Sequence, residues 1–125
     1  MIQLDTGFLI RSLLANSPED LLLREWLRSE TAIGISTICW GEFLCGPLKS
    51  HQMELAGYVV GEQIPFLTEH AVEAARLFNV GGRRRGSFTD CMIAATALCQ
   101  GASLATTNAE DFRRFEPIGL KIVSV

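Results

Sequence analysis

The chain has little that would bind a soft metal or cross a membrane. Its 125 residues include four cysteines and two histidines. Cys39, Cys45, Cys91 and Cys99 lack the paired CxxC spacing of a zinc site, so they read as free core thiols in a reducing cytoplasm. No basic segment followed by a cleavable small-residue site opens the chain, and a secretory leader is not expected. The longest uncharged stretch, Cys91 to Ala109, is broken by Gln100, Gly101, Ser103 and Asn108. It reads as a buried helix, a turn and a buried strand, and no membrane span is expected. Strong charge is missing too: the net charge of −3 argues against nucleic-acid binding by bulk charge alone. Repeats, linkers and low-complexity tracts are absent.

What remains is an ordinary globular composition, 48% hydrophobic and 20% charged, which fits one domain spanning residues 1–125. Ile2 to Leu4 reads as a central strand, and Leu9, Ile10, Leu13 and Leu14 give a helix over Thr6 to Leu14. In "NSPED", Asn16 or Ser17 caps a second helix that has Pro18 in its first turn and Leu22, Leu23, Trp26 and Leu27 on one side. "AIGIS" is a strand, and Thr37 starts a helix through Trp40, Phe43 and Leu44. Met53 to Val60 and Thr68 to Phe78 fit helices, the second capped by Thr68 and stopped by Gly81 and Gly82. After the loop "GGRRRGSFT" comes an apolar helix through Met92, Ile93, Ala95 and Leu98. "SLATT" then reads as a strand, "AEDFRRF" as a short helix and "LKIVSV" as the last strand. Strands alternate with helices, so the class is α/β with a mainly parallel sheet. His51 and His70 read as surface or loop residues and receive no role.

In such a sheet, ligands sit beyond the carboxyl ends of the strands, where the strand order reverses. Asp5 stands there behind the first strand, in "MIQLDTGFLI". Glu42 interrupts the apolar helix of "STICWGEFLCG", Asp90 begins the most apolar helix, and Asn108 and Asp111 follow the "SLATT" strand. Separate segments therefore deliver oxygen side chains to one edge. Carboxylates brought together resist joint ionisation unless a hard cation lies among them, and an all-oxygen ligand set points to Mg²⁺ or Mn²⁺.

"MIQLDTGFLI", "STICWGEFLCG", "FTDCMIAATAL" and "LATTNAEDF", in this order and spacing, closely resemble the PIN domain, in particular the VapC-like toxins of bacterial toxin–antitoxin pairs. The resemblance covers essentially the whole chain. It implies a three-layer α/β/α sandwich working as an Mg²⁺- or Mn²⁺-dependent endoribonuclease, a homodimer, and a cognate antitoxin laid in a groove. The family's acids carry onto Asp5, Glu42 and Asp90, with Thr6 as the hydroxyl beside the first acid. Asn108 stands where many members have Asp, and Asp111 is the alternative fourth ligand. "DTG" departs from the more usual Asn or Ser after "DT".

On this reading Asp5, Asp90 and Asn108 or Asp111 hold the cation, and Glu42 positions water or shares a second metal. Thr106 or Thr107 supports substrate phosphate or bound water. Residues 81 to 125 carry four acids against six bases, and Arg83, Arg84 and Arg85 are candidates for flanking phosphates of RNA. The large apolar side chains around Leu13 to Leu27 and Trp40 to Leu48 are candidates for partner surfaces. Two rivals remain. A receiver-type signalling domain would want paired acids after the first strand, where Asp5 stands alone. An inactive PIN-like binding module is the other, kept open by Asn108.

Overall fold

A computed structural model describes residues 1–125. The elements in chain order are β1 (Ile2–Leu4), α1 (Thr6–Ser12), α2 (Pro18–Arg28), β2 (Ile33–Ser36), α3 (Thr37–Leu44), α4 (Ser50–Val59), β3 (Glu62–Ile64), α5 (Thr68–Val80), α6 (Phe88–Cys99), β4 (Ser103–Ala105), α7 (Ala109–Phe112), a 3₁₀ turn (Arg113–Ile118) and β5 (Lys121–Val123). The five strands form one sheet in the order β3-β2-β1-β4-β5, and every pairing is parallel. The expectation of a mainly parallel sheet is met by a wholly parallel one.

Parallel neighbours need crossovers, and right-handed crossovers that step in opposite directions along a sheet lie on opposite faces. From β1 the chain steps outward to β2 and β3, then crosses back to β4 and β5. Helices therefore cover both faces, giving the α/β/α sandwich. All four residues of β2 are buried, as a strand covered on both sides requires. Leu4, Ile35 and Leu104 from the sheet pack with Phe8, Phe43, Leu77 and Phe115 from the covering segments, all with essentially no exposure.

Local chemistry explains the boundaries. Ser17 caps α2, its hydroxyl accepting from the Asp20 N–H at 3.0 Å, with Pro18 pre-set for the first turn. The first helix ends at Ser12, two residues before the Leu14 expected from spacing, because Leu13 and Leu14 leave the helical ladder and Asn16 takes φ 65°. Helix α4 starts at Ser50, where Gln52 reaches back to the Lys49 N–H at 3.0 Å. Thr68 is the first residue of α5, and its end is bound by His70, whose Nδ1 accepts from the Leu67 N–H at 2.8 Å. His70 is fully buried, not the surface or loop residue expected. Of the four thiols, Cys39 and Cys91 are buried, whereas Cys45 and Cys99 are exposed, so only two are core thiols.

Candidate functional site

Strand β1 has β2 on one side and β4 on the other, and the chain departs in opposite directions from this point. The crevice beyond β1 and β4 is therefore where a site is expected. Asp5 directly follows β1 and Thr106 directly follows β4.

Asp5 is 6% exposed and both of its oxygens are engaged. Oδ1 accepts from the Phe8 N–H at 2.7 Å, capping α1, and Oδ2 accepts from the Thr106 hydroxyl. Capping explains one oxygen. The other is held from the adjacent strand, and the same Thr106 Oγ1 accepts from the Asn108 N–H at 2.9 Å. Thr106 is fully buried and its hydroxyl is committed on both sides. Of the two threonines expected as alternatives against substrate phosphate or bound water, Thr106 stands behind Asp5 and fixes the carboxylate and the start of the next loop in one geometry.

Burial pushes the Asp5 carboxyl above its ordinary range, partly offset by the bonds from Thr106 and Phe8, while the negative charges of Glu42 and Asp90 raise it further. Asp90, in the first turn of α6, is raised chiefly by burial and next by Asp111; the positive charges of Arg114 and Arg84 oppose that rise. Glu42 projects from α3, exposed, and accepts from the Thr6 hydroxyl at 3.1 Å; the same hydroxyl lies 3.2 Å from the Cys39 carbonyl oxygen. The Cys39 thiol beneath is pushed up to about 11, mainly by burial, and is inert as a nucleophile.

A cavity of about 140 Å³ unites these groups: Asp5, Thr6, Gly7, Glu42, Asp90, Ile93, Asn108, Asp111 and Phe112 line it. Asn108 occupies the N-cap position of α7, but its side chain makes no cap bond there, so the amide is free to face the cavity. Asp111, in the first turn of α7, lines the same space. A polar recess of about 420 Å³ adjoins it, sharing Asn108 and Asp111.

The arginine triplet divides. Arg83, at φ 56°, donates to Asn79 Oδ1 at 2.8 Å and lies over the Phe78 ring, turned back onto α5. The charge of Arg84 reaches Asp90, and Arg85 is exposed on the loop. In the sequence "FRRF" reads only as local charge, yet Arg114, stacked 4.4 Å over the Phe115 ring, bears on Asp90 more strongly than Arg84 does. Its place three residues after Asp111 on a helical path was the available signal.

No three carboxylates here form a ready-made metal cluster. The donor set nonetheless fits a hard cation: it is all oxygen, its acids lie where ionisation is opposed, and Mg²⁺ is commonly held by one or two carboxylates with water completing its shell.

The family model of the PIN domain matches residues 2–116. No curated protein matches the sequence. Among solved structures, the chain is similar to VapBC2 from Rickettsia felis bound to a DNA fragment from their promoter, with TM-score 0.78 and 20% identity, covering 100% of this chain and 99% of that one. VapBC-1 from nontypeable Haemophilus influenzae has TM-score 0.71 and 22% identity, covering 99% and 98%. FitAcB from Neisseria gonorrhoeae has TM-score 0.70 and 21% identity, covering 98% and 96%. At these identities the likeness is one of fold.

Proposed function

The chain belongs to the PIN-domain family, and from that premise we propose that it is a metal-dependent endoribonuclease, the toxin of a toxin–antitoxin pair acting in the cytoplasm. The observation that carries this reading is the single cavity in which Asp5, Glu42, Asp90, Asn108 and Asp111 meet from separate segments. Nothing in packing requires acids that raise one another's proton affinity. A cation and a phosphodiester between them would use that charge.

Asp5 and Asp90 would hold the ion, with Asn108 or Asp111 completing the protein's share. A hard divalent cation bound there would supply charge neutralisation for the phosphate and would lower the pKa of a bound water, so that a neighbouring base can take its proton. Asp5 arrives already oriented by Phe8 and Thr106. Glu42, steadied by Thr6, would orient the attacking water and take its proton. Arg84 and Arg114 give an acidic protein local positive charge for a phosphate beside Asp90. Arg85, exposed on the same loop, is left for more distant phosphates, and Arg83 is least available because Asn79 holds it.

Toxin–antitoxin complexes among the structural neighbours support a cognate antitoxin as partner. A homodimer is part of the same proposal. The test is cleavage of single-stranded RNA with Mg²⁺ or Mn²⁺. Cleavage is expected to vanish with chelator and in Asp5→Asn while the fold survives; cleavage that persists in either case rejects the mechanism.

A further inference from the structure

The acid cavity and the recess beside it meet at a wall made by Gly7 and Thr107. A Cβ placed on Gly7 would lie 2.5 Å from Thr107 Oγ1 and 3.7 Å from Asp5 Oδ1. The Thr107 hydroxyl thus sits in the space that a side chain at position 7 would fill. Whereas the Thr106 hydroxyl is spent on Asp5 and Asn108, Thr107 is exposed and its hydroxyl is bonded by no protein group. Gly7 lines the acid cavity, Thr107 lines the recess, and Asn108 and Asp111 line both.

Size separates the two spaces. The cavity of about 140 Å³ is too small for a nucleoside, while the recess of about 420 Å³ falls within the range of small-molecule pockets. A chain whose scissile phosphate enters the cavity must lead its neighbouring nucleotide out over one wall. Arg113, the one cation lining the recess, is already paired with Glu110, their closest atoms 2.6 Å apart, so no free cation serves that phosphate and a neutral hydroxyl is the available donor. We propose that the recess seats the nucleotide next to the scissile bond of a single-stranded RNA, and that Thr107, placed by the missing side chain of Gly7, donates to a non-bridging oxygen of that nucleotide's phosphate. An unpaired strand is required because a base must splay out to enter. This subsite rests on the nuclease reading.

The test is a double-mutant cycle read in kcat, KM and melting temperature, using a labelled single-stranded RNA with Mn²⁺. Gly7 is not at positive φ, so alanine suits its backbone and favours the helix. Thr107→Val and Gly7→Ala, the second by displacing the hydroxyl, should each raise KM about tenfold, as loss of one hydrogen bond to a charged group does, with kcat and melting temperature held. The double variant should be no worse than either single. Wild-type KM in Thr107→Val, or a multiplicative loss of about a hundredfold in the double variant, overturns the subsite while leaving the nuclease intact. A wild-type protein that cuts no RNA with either metal overturns both.

Discussion

Asp5 and Asp90 are held above the ordinary carboxylate range by burial and by neighbouring acids. A folded-state pKa above the unfolded value means that the native state binds the proton more tightly. Ionisation at neutral pH then costs stability, and the cost fades as the pH falls through the raised pKa. Asp90→Asn removes that cost, so it should raise the melting temperature of the metal-free protein at pH 7, with the gain shrinking toward about pH 4 as wild-type Asp90 takes up its proton. Mn²⁺ should stabilise the wild type more than the variant, and RNA cleavage should fall by more than the ~10–100-fold that loss of an outer partner costs. A variant that melts lower at pH 7, or still cuts RNA, contradicts this account. Asn108 and Asp111 both line the cavity, so mutation must rank them. We expect Asn108→Asp to keep activity and bind Mn²⁺ more tightly, because a carboxylate ligates a hard cation better than an amide. An inactive Asp111→Ala beside a fully active Asn108→Ala would reverse the order.

At the scale of elements, the site depends on β4 lying beside β1, in a register that pairs Leu4 with Ala105 and so sets Thr106 against Asp5. Thr106→Val keeps the shape but strips a buried donor from Asp5 and an acceptor from the Asn108 N–H. It should cost about 1–3 kcal/mol in chemical denaturation and also lower cleavage; unchanged stability would mean that the hydroxyl holds nothing together. This coupling also marks how far the sequence could be read. Asp5 and Glu42 were legible because each breaks an apolar run, and apolar segments bounded by helices or turns gave strands β1, β2, β4 and β5. Strand β3 was not legible: of its three residues Glu62 and Gln63 are exposed and only Ile64 is buried, so no apolar pattern marks it. The bond from Thr106 to Asp5 spans 101 residues, and the approach of Thr107 to Gly7 spans a comparable stretch. Such contacts follow from strand register, which local spacing does not reveal. His70 was misread as a surface or loop residue for a related reason: the Leu67 N–H that its ring accepts at the start of α5 carries no mark in the sequence.

At the scale of the molecule, the question is which apolar side chains the core leaves over. Part of the stripe expected for partners is core: Leu23 is buried, and Leu13, Leu22, Trp26, Trp40 and Leu48 pack against the central cluster. What stays outside includes Leu27 of α2 and Leu55 and Tyr58 of α4, Tyr58 being 89% exposed. Leu27 and Val59 line two neighbouring recesses between these helices, and Tyr58 borders one of them, so the leftover surface is continuous. It lies away from Asp5 and Asp90, and no residue lines both this surface and the acid cavity. A partner bound there would leave the chemistry itself untouched unless it also reached across to the acids. Under the proposed function, we propose that the antitoxin anchors on this face and inhibits through a part that reaches across to the acids, with the proposed dimer contact elsewhere. Tyr58→Asp puts a charge where a partner would bury a ring, and at such exposure it should not disturb the fold. Light scattering of the variant should still give the dimer expected for the wild type, twice the 13.7 kDa chain mass. RNA cleavage should be unchanged, while inhibition by the cognate antitoxin should weaken by tenfold or more, as loss of an aromatic anchor does. A variant inhibited as tightly as the wild type would remove the antitoxin from this face, and one that turns monomeric would give the face to the dimer.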